Sequence, residues 1–365
     1  MDPAANWSLK KTKRRGSSIL KRYLLYVSEI YAFSILRPLQ SAINERGDKV
    51  YWFLEDPKRA GRYLRPHERQ LKSVAEVKSW NPEAVFVPGN LVPDFFPGIK
   101  VELFHGFNAR KRPDNQGHFR IRNFFDLYCT QGPDTTAPFQ ELEKKYGSFE
   151  VIETGWPKMD PLFWNSTLPL PTRTQKPVIL LTSTFTPKLS AAPALFDRVR
   201  SLAQKGRWKW LVHFHPKMDP KVVFAFKSLQ GQDLEFVETD DLIPLLLSAD
   251  VMVSDTSSIV SEFLLQIKPV VTYRNRMPGP HLIDIQHPEE LEEAIQYGLT
   301  KPPHLISEIV KYVNHIHPYR DGCSSLRVLS AADSLIARGR KHLRSKPLNL
   351  WRRLKVRKRL GYYWL

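Results

Sequence analysis

The chain has 365 residues, 42 % of them hydrophobic and 25 % charged, so disorder along most of its length and a single small binding module are both excluded; two domains of roughly 150 residues are expected. Its formal net charge of +18 sits at the two ends, with +6 over residues 1–25 and +11 over residues 338–365, which leaves the body at +1. A body with no basic bias and no recognised reader motif argues against nucleic acid as a partner, and two cysteines, Cys129 and Cys323, are too few for a disulfide framework or a four-ligand zinc site and suit a reducing compartment.

The N-terminal residues 1–20 form a basic tail without a compact apolar region and small-residue cleavage site, so export through a signal peptide is not expected. The apolar stretch Ile19–Leu39 is interrupted by Lys21, Arg22, Glu29 and Arg37, which denies it the length of about 20 apolar residues that a membrane span needs; it reads as a core or interfacial helix. A first domain is expected over residues 21–168, with strands at Val50–Leu54, Ala84–Val87, Val101–Phe104, Leu127–Thr130 and Glu150–Glu153. His105 and Gly106 follow the third of these. Glycine there permits close approach, and an imidazole exposed at a strand end can take a proton from an acceptor hydroxyl. The turn Thr154-Gly-Trp-Pro-Lys-Met-Asp160 contains Gly155, Lys158 and Asp160, and Lys158 is suited to an anionic group, a solvated lysine being the alternative. Three prolines between Leu168 and Pro177 mark a linker.

The second domain, residues 177–337, alternates short apolar runs (Val178–Thr182, Trp210–Phe214, Leu234–Val237, Asp250–Ser254, Pro269–Tyr273) with helical stretches (Pro193–Gln204, Leu242–Ser248, Ser257–Gln266, Pro288–Tyr297), the pattern of a doubly wound parallel sheet. Such sheets bind ligands beyond the carboxyl ends of their strands, so two of them would place their functional loops along one interdomain cleft. His213-Phe-His-Pro-Lys217 ends one strand and presents His215 at that edge, where a preorganised imidazole can donate to developing phosphate charge; a structural hydrogen bond is the alternative. In Ser254-Asp-Thr-Ser-Ser258, Ser257 and Ser258 at a helix start offer hydroxyls, backbone N–H groups and the helix dipole to a diphosphate, with Glu262 one turn on for ribose hydroxyls; an ordinary N-cap is the alternative. No Walker A, G-x-S-x-G, H-E-x-x-H or D-x-D occurs, so neither a cofactor nor a metal is expected. The last segment, residues 338–365, interleaves cations with Leu350, Trp351, Leu354, Leu360, Tyr362, Tyr363 and Trp364, which suits an anionic membrane surface.

The ordered motifs H-G, T-G-W-P-K-M-D, H-P, S-D-T-S-S-I-V-S-E-F and D-G-C-S-S-L-R-V resemble the CDP-glycerol glycerophosphotransferase family, the teichoic-acid primases and polymerases, over about residues 80 to 335. The resemblance implies a GT-B fold of two Rossmann-like α/β lobes, with His105 as base and His215 as the second essential histidine. It places Ser257, Ser258 and Glu262 on the nucleotide positions, so that Ser254, Asp255, Thr256, Ser257, Ser258, Glu262 and Lys217 form the donor side. Asp321, Ser324, Ser325 and Arg327 match a family stretch near the C-terminal helix and join Gly106, Gly155, Lys158 and Asp160 as further candidates. Phe104 stands for the family's tryptophan, Phe107 for a threonine and Leu181-Thr-Ser-Thr-Phe185 for Ala-Pro-Thr. The implied activity is transfer of glycerol phosphate, or a related alditol phosphate, from CDP-glycerol to a hydroxyl of a lipid-linked or surface polymer with release of CMP, in a peripheral protein on the cytoplasmic side of the plasma membrane. Its competitors are a nucleotide-sugar transferase of the same fold for capsule or lipopolysaccharide synthesis and a catalytically silent binding subunit of a polymer-assembly complex.

Overall fold

A computed structural model describes residues 20–107, 119–164 and 176–363. The basic residues Lys10–Arg15, most of the proline-rich linker and Trp364 lie outside the described residues. Two parallel six-stranded sheets carry the architecture. The first contains β1 (Arg22–Val27), β2 (Lys49–Leu54), β3 (Ala84–Val87), β4 (Ile99–Glu102), β5 (Leu127–Thr130) and β6 (Glu150–Glu153) in the order β2-β1-β3-β4-β5-β6. The second contains β7 (Val178–Ser183), β8 (Lys209–Phe214), β9 (Leu234–Phe236), β10 (Val251–Ser254), β11 (Val270–Tyr273) and β12 (Ile283–Ile285) in the order β12-β11-β10-β7-β8-β9. Runs such as Ala84-Val-Phe-Val87 and Val251-Met-Val-Ser254 are buried at every position, because helices cover both faces of each sheet.

The expected strands are all present, although β4 ends two residues before the expected Phe104. Two more were not anticipated. β12 is only three residues long, and β1 replaces the first half of the helix expected over Ile19–Leu39. Arg22-Tyr-Leu-Leu-Tyr-Val27 is a continuous apolar run, and such a run fits a buried strand as well as a buried helix; pairing with both β2 and β3 decides for the strand. The helix starts only at Ala32 and runs to Glu45.

The strand orders locate the crevices. In each open sheet a ligand binds where successive connections diverge to opposite sides, which falls between β1 and β3 in the first sheet and between β7 and β10 in the second.

After the second sheet the chain returns to the first lobe. The helix Pro303–Ile316 passes the helix Pro133–Tyr146 so closely that a Cβ on Gly132 would lie 2.4 Å from the Ile316 carbonyl oxygen. Residues 324–338, expected within the second domain, form a helix whose Asp333 accepts from the Tyr23 hydroxyl at 2.5 Å and pairs with Lys21 at 2.8 Å and Arg46 at 2.5 Å, all first-lobe residues.

The C-terminal segment is not a free tail. Its helix Leu350–Leu360 buries Val356 and pairs Arg357 with Asp94 (3.5 Å) and Arg359 with Glu55 (3.0 Å), while Lys346 ahead of it reaches Asp126 at 2.5 Å. Leu360 and Tyr362 pack on the outer aromatic cluster of the first sheet. A doubly wound sheet needs both faces covered, and this segment supplies part of that cover.

Candidate active site

On the first lobe, the β4 strand ends at Glu102 and the chain turns through Phe104, whose φ of 58° is left-handed and strained for a bulky side chain. Its ring is buried against Tyr128 and Phe139, which fixes the turn, and His105 emerges exposed beyond it. Tyr31, from the loop after β1, stacks on His105 with ring centroids 5.2 Å apart and planes 28° apart. A Cβ on Gly89, in the loop after β3, would meet Ser28 Oγ at 2.9 Å, so the two loops at the switch point lie close together and a larger residue there would require the Ser28 side chain to turn aside. Among the described residues nothing lies within 4 Å of where a Gly106 Cβ would stand. Burial, then the nearby carboxylates of Glu29 and Glu102, push the Tyr31 hydroxyl up to about 12, so it stays protonated.

On the second lobe, His215 leaves β8 exposed, with the Lys217 backbone N–H donating to its Nδ1 at 3.0 Å. Nδ1 is therefore the acceptor, and the neutral ring carries its proton on Nε2. Burial, then the positive Lys217 and the repulsion from His213 when that ring is protonated, hold its pKa below the ordinary histidine value and preserve that neutral donor. Phe185, from the loop after β7, packs on the His215 ring at 4.7 Å, with Lys217 Nζ 5.8 Å from the Phe185 centroid. His213 turns away and donates through Nδ1 to the Val237 carbonyl at 3.0 Å.

The Ser254–Ser258 stretch divides into two roles. Ser254 is fully buried and accepts from Thr182 Oγ1 at 3.0 Å; Thr256 Oγ1 accepts from the Arg276 N–H at 3.0 Å. Asp255, expected to face the donor, points inward: it accepts from Ser183 Oγ (2.6 Å), Thr184 N–H (3.0 Å) and Ala191 N–H (3.0 Å). A buried carboxylate needs such partners, and here they hold the Phe185 loop in place. Ser257 and Ser258 stay half-buried at the start of the helix Ile259–Leu264, and among the described residues their hydroxyls make no hydrogen bond.

Glu262 and Lys158 join the lobes. Lys158 Nζ lies 2.6 and 2.7 Å from the two carboxylate oxygens of the buried Glu262, and 5.1 Å from the Trp156 ring centroid. Since Lys158 follows β6 and Glu262 follows β10, the carboxyl edges of the two sheets face each other. Lys158→Met is expected to lower stability by about 2 kcal/mol, because the Glu262 charge would be left buried and alone. The check is a melting temperature that falls in Lys158→Met and recovers in part when Glu262→Gln is added.

The other candidates gather at a joint outside this edge. Asp160, 1 % exposed, accepts the backbone N–H groups of Ser324 and Ser325, each at 2.8 Å, and so caps the returning helix. Arg327 holds Asp321 with two bonds of 2.7 and 3.0 Å, donates to the Thr154 carbonyl at 2.8 Å and stacks over Tyr319 at 4.0 Å. Gly155, at φ 76°, lies where a Cβ would be 2.5 Å from Ser324 Oγ. Residue type and spacing did not reveal the contributions of Tyr31, Phe185 and the turn that carries Arg276, where Asn275 Nδ2 also donates to the Asp255 carbonyl at 3.3 Å; these depend on loops far apart in sequence. Among the described residues no three His, Cys, Asp or Glu side chains group as metal ligands.

Comparison with known proteins fits this geometry. The sequence model of the family described as CDP-Glycerol:Poly(glycerophosphate) glycerophosphotransferase matches residues 106–332, more than half of the chain. Comparison with curated proteins gave no match. Among solved structures, the wall teichoic acid polymerase TagF is similar at 12 % identity with a TM-score of 0.63, over 87 % of this chain and 90 % of that one. A putative UDP-N-acetylglucosamine 2-epimerase from Listeria monocytogenes is similar at 15 % identity and TM-score 0.63, over 88 % and 98 % of the two chains. S. aureus MnaA, solved with UDP, is similar at 15 % identity and TM-score 0.62, over 90 % and 99 %. At such identities the likeness is one of fold, and that fold is GT-B.

Proposed function

The chain belongs to the CDP-glycerol:poly(glycerophosphate) glycerophosphotransferase family, and from that membership we propose that it transfers glycerol phosphate from CDP-glycerol to a hydroxyl of a lipid-linked or cell-surface polymer of the teichoic-acid kind. The second lobe takes the donor and the first lobe the acceptor. The acceptor oxygen attacks the β-phosphorus, the bond from that phosphorus to the bridging oxygen breaks, and CMP leaves as His105 takes the acceptor proton. His215 and the Ser257–Ser258 turn receive the diphosphate charge. The observation that carries this reading is the hydrogen bond from the Lys217 N–H to His215 Nδ1, which leaves Nε2–H as a fixed donor at the carboxyl edge of the same sheet that carries Ser257 and Ser258, whose hydroxyls make no hydrogen bond among the described residues.

Rate enhancement then comes from positioning and preorganised donors rather than from a resident metal. Glu262 offers its carboxylate to the ribose hydroxyls, in competition with Lys158. No helix among the described residues is long and apolar enough to cross a membrane. We place the enzyme as a peripheral protein on the cytoplasmic side of the plasma membrane, where a lipid-linked acceptor is presented. One related structure, of TagF, was obtained after a CDPG soak, which supports a CDP-alditol as donor.

The test is CMP release from CDP-glycerol, with and without a lipid-linked glycan acceptor, in the presence of a chelator. Acceptor-dependent CMP is expected, and His215→Ala should reduce it about 100- to 1,000-fold, the usual loss for one preorganised donor. Turnover of a nucleotide sugar in place of CDP-glycerol would move the reaction from phosphorus to carbon. Donor binding with no turnover under any condition would identify a binding subunit.

A further inference from the structure

The helix Leu350–Leu360 has one side fixed and one side bare. Its inner side is anchored by Val356, 2 % exposed, by the Arg357 guanidinium 4.7 Å from the Phe95 centroid, and by Tyr362 just past the helix, stacked on the same ring at 4.6 Å. Its outer side presents Leu350 at 62 %, Trp351 at 86 % and Leu354 at 53 % exposure, with Leu348 at 65 % just before it. One exposed leucine is ordinary; four large apolar side chains within seven residues of a docked segment are not.

The surrounding charge selects what covers them. Lys355 and Lys358 are exposed on the same helix, and beyond Asp333 the chain has no acidic residue. Tryptophan and leucine beside long cations are the side chains that settle at the boundary between headgroups and acyl chains. We propose that the outer side of this helix, with Leu348, is the seat of an anionic lipid bilayer. Leu350, Trp351 and Leu354 enter the boundary layer, and Lys355 and Lys358 meet lipid phosphates. The inference deepens the peripheral placement proposed above and rests on it, but it does not depend on the transfer chemistry.

The seat adjoins the acceptor lobe's working edge. Arg357 is tied to Asp94 in the loop after β3, and Arg359 to Glu55 directly after β2, at the edge where His105 leaves β4. A bilayer held here would bring a lipid-linked acceptor to that edge without crossing the second lobe.

The experiment is flotation of the full chain with phosphatidylglycerol–phosphatidylcholine vesicles and with pure phosphatidylcholine vesicles. Wild-type protein should float with the anionic vesicles only. Trp351→Ala/Leu354→Ala and, separately, Lys355→Gln/Lys358→Gln should each weaken partitioning at least about tenfold with unchanged melting temperature, since these side chains are exposed. Wild-type flotation that neither double variant alters would overturn the seat and leave the peripheral placement standing. A wild-type chain that ignores anionic vesicles, or that instead self-associates through this side in solution, would overturn the seat and the placement together. CMP release on a water-soluble acceptor, assayed in parallel, reports the transfer reaction independently of either result.

Discussion

His105→Ala is expected to lower acceptor-dependent CMP release by about 100- to 10,000-fold, the range that loss of a positioned general base produces. The fold should be unaffected. His105 is exposed and the strained turn that carries it is held by the Phe104 ring, so the substitution removes no buried group and melting should change by less than about 0.5 kcal/mol. Donor affinity should also stay within a few-fold, because the diphosphate contacts proposed above lie on the other lobe; His215→Ala should weaken both affinity and turnover. The pH profile separates the two residues further. A base works only when unprotonated, so wild-type activity falls on the acid side, and the residual activity of His105→Ala should have lost that limb. His215, whose pKa burial and then Lys217 hold low, stays a neutral donor through that range, and the limb should survive in His215→Ala. Tyr31→Ala should cost turnover without shifting the profile, since the tyrosine acts by holding the ring against which it stacks. An unchanged rate in His105→Ala would remove the histidine from the chemistry.

Asp160→Ala should be the most destabilising single change among the candidate residues, by roughly 3 to 5 kcal/mol, because both of its oxygens accept buried N–H groups that nothing else can satisfy. The loss falls at the joint between lobes. Ser324 and Ser325 open the helix that carries Asp333 back to Lys21, Tyr23 and Arg46, so a frayed start loosens the first lobe's cover as well. Against a total stability of about 5 to 15 kcal/mol, the variant should melt several degrees lower, with Asp160→Asn between it and the wild type because an amide keeps one acceptor. Turnover per folded molecule at low temperature should remain within a few-fold of wild type. Normal melting with lost activity would instead place Asp160 against the substrate.

The second lobe was legible in the sequence because each strand there is a short apolar run bounded by turn residues, and because Ser254–Ser258 and His213–Lys217 sit at strand ends, where a parallel sheet puts its ligands. β1 was not, since an apolar run without alternation fits helix and strand alike. Asp255 and Asp160 carry the right chemistry for a polar site, yet both face backbone N–H groups of segments whose approach no local pattern encodes. The C-terminal cations read as a tail for the same reason: Arg357 and Arg359 find Asp94 and Glu55 some 260 and 300 residues upstream. Lys158 was noted as an anion binder, and the anion it meets in the structure is the protein's own Glu262.

The route of the chain also sets an order of assembly on the ribosome. All strands of the first sheet have been made once Glu153 is synthesised, but Asp333, Val356 and Tyr362, which close over that lobe, emerge much later. At about 5 to 20 residues per second the delay to Tyr362 is roughly 10 to 40 s, during which the second lobe can complete its own sheet. The lobe begun first is therefore finished last. Until then its uncovered aromatic face, which includes Phe95, is apolar surface open to aggregation.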